Sequence, residues 1–166
     1  MKSAVFAAAG AVAVAALTLA SVAFGAADTR ETTTLISIQD RVSGQMTNGT
    51  FRGRFRLLVD GVLMDSGTSI VRPNQQGVLR IVDGQTQVPV SGQNNLTSSK
   101  GSLSFSLTGV SIAIRTTKGA FGVEYGTWKI TSGSGTYKGW TGGGRWANAS
   151  TADGAQYIDW AGSVLR

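Results

Sequence analysis

The chain has 166 residues, a formal net charge of +6, 23 glycines, two prolines, and neither cysteine nor histidine. That composition excludes disulfide staples, a Ser-His-Asp triad, a cysteine nucleophile, a histidine general base and a zinc site of the usual ligands. A domain of this length must therefore be held by its core and its sheet hydrogen bonds, and there is enough chain for one such core and too little for two.

Met1-Lys2-Ser3 gives a short positive start, and Ala4 to Phe24 then runs without a charge and is rich in Ala, Val and Leu. This order of features predicts an export signal over residues 1–27, cut between 23 and 28 and best placed at Ala27–Asp28, with a single domain over 28–166. An uncleaved membrane anchor is the alternative, but the Ala-rich run is weakly hydrophobic for a spanning helix. No cysteine follows the run and no Arg pair precedes it, so neither a lipoprotein nor a twin-arginine route is expected. The style is bacterial, and the expected location is extracellular or periplasmic, with no stable anchor after cleavage.

Beyond residue 27 the dominant pattern is alternation of period two, broken every 8 to 12 residues by Gly-containing turns, and nothing reads as a helix. Ile36 and Ile38 alternate with Ser37 and Gln39. Phe51, Phe55 and Leu57 share one parity while Arg52, Arg54 and Arg56 hold the other. Asp60-Gly61 then marks a two-residue hairpin. Strands are predicted at about 62–71, 78–90 with a break at Asp83-Gly84, 101–115, 121–131, 135–146 and 155–165. Leu103, Phe105 and Leu107 are odd whereas Val110, Ile112 and Ile114 are even, which predicts a bulge or bend at Thr108-Gly109. About eight antiparallel strands with Gly at the corners fit a small closed barrel, which leaves no edge exposed, or a sandwich.

The run Ser132 to Gly144 is the most Gly-dense stretch. Lys138 does not stand in Walker spacing and no helix follows it, so a phosphate cradle is disfavoured and the glycines read as structural. No cofactor and no metal is called for.

Gly126-Thr127-Trp128-Lys129-Ile130 followed by Gly133-Ser134-Gly135-Thr136-Tyr137-Lys138-Gly139 resembles the strand, turn and strand of the allene oxide cyclase and dirigent barrel superfamily, in particular its small secreted bacterial relatives. Asp65-Ser66-Gly67, Leu96 to Gly101 and Asp159-Trp160-Ala161-Gly162 match in style, so the resemblance spans roughly residues 50–163. It implies an eight-stranded antiparallel barrel around an apolar pocket, often trimeric in the plant members, hence a homo-oligomer. Those plant members cyclise an unstable fatty-acid epoxide or steer phenoxy-radical coupling. The likeness covers the scaffold, and no plant active-site residue carries over.

Asp60, Asp83 and Asp153 each precede Gly and read as turn residues. Glu124 shares parity with Trp128 and Ile130, which would aim its carboxylate into the barrel and make it the candidate general acid or base; a solvent-facing or Arg-paired Glu124 is the alternative. The candidate lining of an apolar pocket is Phe51, Phe55, Phe105, Trp128 and Tyr137. Arg52, Arg54 and Arg56 recur every ~6.8 Å along one strand face and form a short cationic ladder, either a solvated outer face or a dock for an anionic cell-wall polymer. Trp140, Trp146 and Trp160 lack the interleaving with basic residues that a nucleic-acid stacking platform needs.

Three functions are consistent with these residues. The first is a non-catalytic secreted barrel that holds a small apolar ligand or serves as a binding module. The second is a cyclase or dirigent-type enzyme, whose pocket steers a reactive substrate with few acid-base groups. The third is an outer-membrane barrel, disfavoured by the many glycines and the missing aromatic girdles.

Overall fold

Alternating sequence becomes alternating burial, most plainly along the strands Thr33–Val42 and Phe51–Val59. The computed structural model describes residues 33–43, 46–75, 77–116, 119–151 and 154–166, with the side chains of 75, 115, 116 and 119–121 outside that description. The expected export segment 1–27 and the expected turn residue Asp153 lie outside the described residues. The strands are β1 (Thr33–Val42), β2 (Phe51–Val59), β3 (Val62–Gln75), β4 (Arg80–Val82), β5 (Gln85–Ser98), β6 (Gly101–Thr116), β7 (Gly119–Gly133), β8 (Thr141–Ser150) and β9 (Gln156–Leu165). All pairings are antiparallel, in the order β3-β2-β1-β9-β8-β7-β6-β5-β4. A further pairing of β3 with β5, from Thr68 opposite Thr97 to Gln75 opposite Val90, closes eight of the strands into a barrel and leaves β4 as an extra strand on β5. Closure removes the barrel's edges, as the sequence leads one to expect.

Asx-Gly pairs make the tight turns. Asp60 and Gly61 (φ 48° and 80°) join β2 to β3, and Asp83 and Gly84 (φ 51° and 75°) join β4 to β5, each with two consecutive left-handed residues. That is the backbone that matches the twist of a two-residue hairpin. The third pair, Asn48-Gly49, turns between the bridged Thr47 and Thr50 before β2 begins.

Three expected elements differ. The segment 78–90 is a hairpin, split at Asp83-Gly84, whose second strand runs on to Ser98. The segment 135–146 begins as a 3-10 turn at Gly135–Tyr137, and its strand starts only at Thr141. No bulge falls at Thr108-Gly109: the β6–β7 register runs unbroken there and shifts between Ser104 and Phe105 instead. Val110, Ile112 and Ile114 therefore stay on the outward parity, where Val110 lies opposite the exposed Tyr125 and Ile112 opposite Val123. Apolar content on that side of β6 imitates a change of parity, because side-chain direction follows the backbone and not hydrophobicity.

Directly opposed residues share a face, so the registers stack into rows across the barrel interior. One row carries Leu107, Trp128, Gly144, Gly162 and Ile36; the next carries Gly109, Gly126, Trp146, Trp160, Ile38 and Leu57. Trp128 lies beside Gly144 and Gly162, and Trp146 beside Gly126 and Gly109. Trp128 Nε1 donates to the carbonyls of Arg145 and Ala161 at 3.0 and 3.2 Å, and Trp146 Nε1 donates to those of Thr108 and Thr127, both at 3.2 Å. The bare backbone of the neighbouring glycines lets the rings lie close to the sheet and brings the adjacent strands together. Phe105, Trp128, Trp146 and Trp160 form one aromatic cluster with ring centroids 5.1 to 6.4 Å apart.

Candidate functional site

The two ends of the barrel differ. One end is closed by the connection from β7 to β8, which folds Tyr137 and Trp140 inward, edge to face at 5.1 Å, both buried. The Tyr137 hydroxyl donates to Asp65 Oδ2, which also accepts from Ser98 Oγ, while Asp65 Oδ1 accepts from the Ser66 amide. Burial pushes the Asp65 carboxyl upward, but the hydrogen bonds from Ser98, Tyr137 and the Ser66 amide, together with the charge of Lys100, outweigh it and hold the group below its ordinary 3.8. Burial, and then the Asp65 hydrogen bond and charge, raise the Tyr137 phenol well above its ordinary 10.0.

The signs of these shifts predict how the closed end responds to pH. A carboxyl depressed in the folded state adds stability that is present above 3.8 and lost as pH falls through the depressed value. A phenol raised in the folded state adds stability that is present below 10.0 and lost as pH rises toward the raised value. Tyr137→Phe should cost about 1–3 kcal/mol near neutral pH, because Asp65 keeps its burial and loses a donor. Urea unfolding of wild type and Tyr137→Phe between pH 2 and 11 tests this, and parallel curves across both limbs would contradict it.

The other end is open. It lies between the β1–β2 and β8–β9 connections and the long ends of β3, β5, β6 and β7, and it holds a cavity of about 430 Å³. Phe51, Val71, Val90, Leu107, Trp146, Ile158 and Trp160 make most of its wall. Glu124, Asn148, Ser150, Gln156 and Ser91 supply its polar side chains. Asn148 is buried opposite Glu124 in register, and its Nδ2 donates to Glu124 Oε2 at 3.1 Å and to Gln156 Oε1 at 3.2 Å. A carboxylate only accepts, so the amide nitrogen must face it. Asn148 Oδ1 is thereby turned away and has no hydrogen-bond partner among the described residues, nor has the buried Nε1 of Trp160 one row deeper.

A second acid lies in the same row as Glu124, Asn148 and Ile158. Asp40 is fully buried on β1, accepting from Ser69 Oγ at 2.6 Å and from Asn94 Nδ2 at 3.1 Å. Burial raises its carboxyl above the ordinary 3.8 in spite of those two hydrogen bonds and the neighbouring Arg41 charge.

Of the residues the sequence singles out, the structure brings Glu124 and Phe51 to this cavity. Phe55, Phe105 and Trp128 stand in the filled core, and Tyr137 plugs the opposite end; none of these four lines the cavity. Asn148, Gln156, Trp146 and Trp160 escape the sequence reading as pocket residues. The signal for them is the spacing of Trp146 with Asn148 on β8 and of Gln156, Ile158 and Trp160 on β9, every second residue and all inward.

Arg52, Arg54 and Arg56 are exposed on the outer side of β2, with Phe55 and Leu57 buried on the inner side. Arg41 of β1 lies opposite Arg54 and extends the ladder sideways, tied to Asp159 by an ion pair at 3.2 Å. Trp140, Trp146 and Trp160 are buried, which removes them as a platform for stacking bases. Comparison of the chain with known protein families, with curated proteins and with solved structures found no match.

Proposed function

We propose that this chain is an exported, non-catalytic barrel that binds a small, largely apolar molecule in its open end. The observation that carries the reading is the cavity itself: about 430 Å³, walled by aromatic and aliphatic side chains, with a few polar groups gathered at Glu124 and Asn148. Ligand sites are commonly ~300–1,000 Å³ and built on this plan. An unpartnered buried acceptor is costly to keep unless something fills it. The neutral dye Nile red tests the reading. Saturable one-to-one binding is expected, weakened at least about tenfold when Val90→Trp fills the cavity. Absence of saturable binding, or equal binding by the variant, would contradict it.

A second reading, a distant cyclase or dirigent-type enzyme, draws on Glu124 at the cavity wall. It requires turnover of a reactive substrate that Glu124→Gln abolishes. An outer-membrane barrel would need an apolar outer band; here the outward Val110, Ile112 and Ile114 share the outer surface with exposed Arg52, Arg54, Arg56, Lys129 and Arg145.

The cationic outer face of β2 is proposed to dock an anionic cell-wall polymer. Changing Arg52, Arg54 and Arg56 together to Gln should leave the melting temperature within about 2 °C of wild type, since exposed side chains away from the core contribute little. The same variant should lose retention on heparin, and wild-type retention should fall steeply with salt. Equal retention would reject the polymer role.

A further inference from the structure

We infer that the ligand of the open-end cavity carries a positively charged amine, with the ammonium group seated against Glu124 and an apolar body running down to Trp146 and Trp160. The inference rests on the cavity being a ligand site and specifies the charge of what enters it.

Charge separation between the inside and outside of the barrel leads to it. Every Lys and Arg whose side chain is described is exposed, whereas the barrel interior at the open end carries two acids, Glu124 and Asp40. Among the described residues no basic side chain lines the cavity. Hydrogen-bond accounting points the same way. Asn148 spends its amide protons on Glu124 and Gln156, and so holds the carboxylate through one oxygen, Oε2. A carboxylate in an otherwise apolar wall suits a donor-rich cation and repels a carboxylate or phosphate head.

Asp40 is bonded to Ser69 and Asn94 and is not on the cavity wall, so it makes no contact with what enters. Glu124 is half-buried and is bonded through one oxygen, Oε2, to Asn148. An ammonium has three protons to donate to that carboxylate. The net positive charge of the chain does not oppose this at short range, because exposed charges are screened beyond ~8–10 Å at ordinary ionic strength.

Three probes of equal chain length decide the matter: decylamine, decanol and decanoate, titrated calorimetrically into the purified protein at pH 7 and below their micelle concentrations. Decylamine should bind at least about tenfold more tightly than decanol, the gain of one charge-assisted hydrogen bond, and decanoate should bind most weakly. In Glu124→Gln, with folding verified by its melting curve, the affinities for amine and alcohol should converge to within about twofold. Amine binding no tighter than alcohol binding, a preference for decanoate, or a preference that survives Glu124→Gln would each overturn the ammonium assignment while leaving the cavity a ligand site. Failure of all three probes to bind would overturn the ligand site, and this inference with it.

Discussion

Trp160→Ala is expected to lower the unfolding free energy by about 3–5 kcal/mol, in the range for removing a fully buried aromatic. Trp160 is 1% exposed and touches Phe105, Trp128 and Trp146, so its indole joins the β6, β7 and β8 sides of the core to β9. The surrounding strands are fixed by a closed ladder and cannot collapse far into the space left behind. Because Trp160 also borders the open-end cavity, the variant should enlarge that cavity instead of sealing it. Denaturant titration gives the energy, and a loss under about 1 kcal/mol would show that the barrel does not depend on this cluster.

Gly144→Val should be more damaging still, beyond about 3 kcal/mol and severe enough to prevent accumulation of folded protein. A Cβ at residue 144 would overlap the Ala161 carbonyl oxygen and Gly162 Cα, both backbone atoms of the neighbouring strand. Neither can swing aside as a side chain does. The same backbone accepts the Trp128 indole N–H at Ala161, so forcing the strands apart breaks that bond as well. Gly139 is the contrasting position, with open space where its Cβ would be, although its φ of 81° still favours glycine. Gly139→Ala should therefore cost only about 1 kcal/mol, and comparable losses at the two positions would refute the packing explanation.

Alternation of Phe51, Phe55 and Leu57 with three arginines sorts inside from outside on β2, because burial on one face of a strand leaves little freedom in the placement of charge. Asp60-Gly61 and Asp83-Gly84 announce their turns, since few other residue pairs accept two consecutive positive φ angles. The second half of β5 is silent: its inward residues include Gly92 and Asn94, and its outward ones are polar too, so it has the composition of a loop. Its strand character comes from pairing with β3 on one side and β6 on the other, a tertiary effect that no local pattern reports. On β6 the opposite happens, and outward Val110, Ile112 and Ile114 suggest a core they do not join.

The candidate site was half legible for the same reason. Glu124 is readable from parity on one strand. Its partners Asn148 and Gln156 come from β8 and β9, and the hydrogen bonds that leave Asn148 Oδ1 unsatisfied depend on the register between strands. Tyr137 reads as a pocket aromatic but serves as a plug, because the segment around it turns in a 3-10 loop and brings its hydroxyl to Asp65 on β3.

The four tryptophans offer the most direct test of a ligand cavity at the open end. Trp146 and Trp160 border the cavity, whereas Trp140 packs against Tyr137 at the closed end. In a nitrogen–proton correlation spectrum of the labelled protein, saturating decanol should move the indole Nε1–H resonances of Trp146 and Trp160 and leave that of Trp140 in place. Indole resonances that all stay fixed at saturation, or a shift greatest at Trp140, would contradict a ligand site in the open end of the barrel.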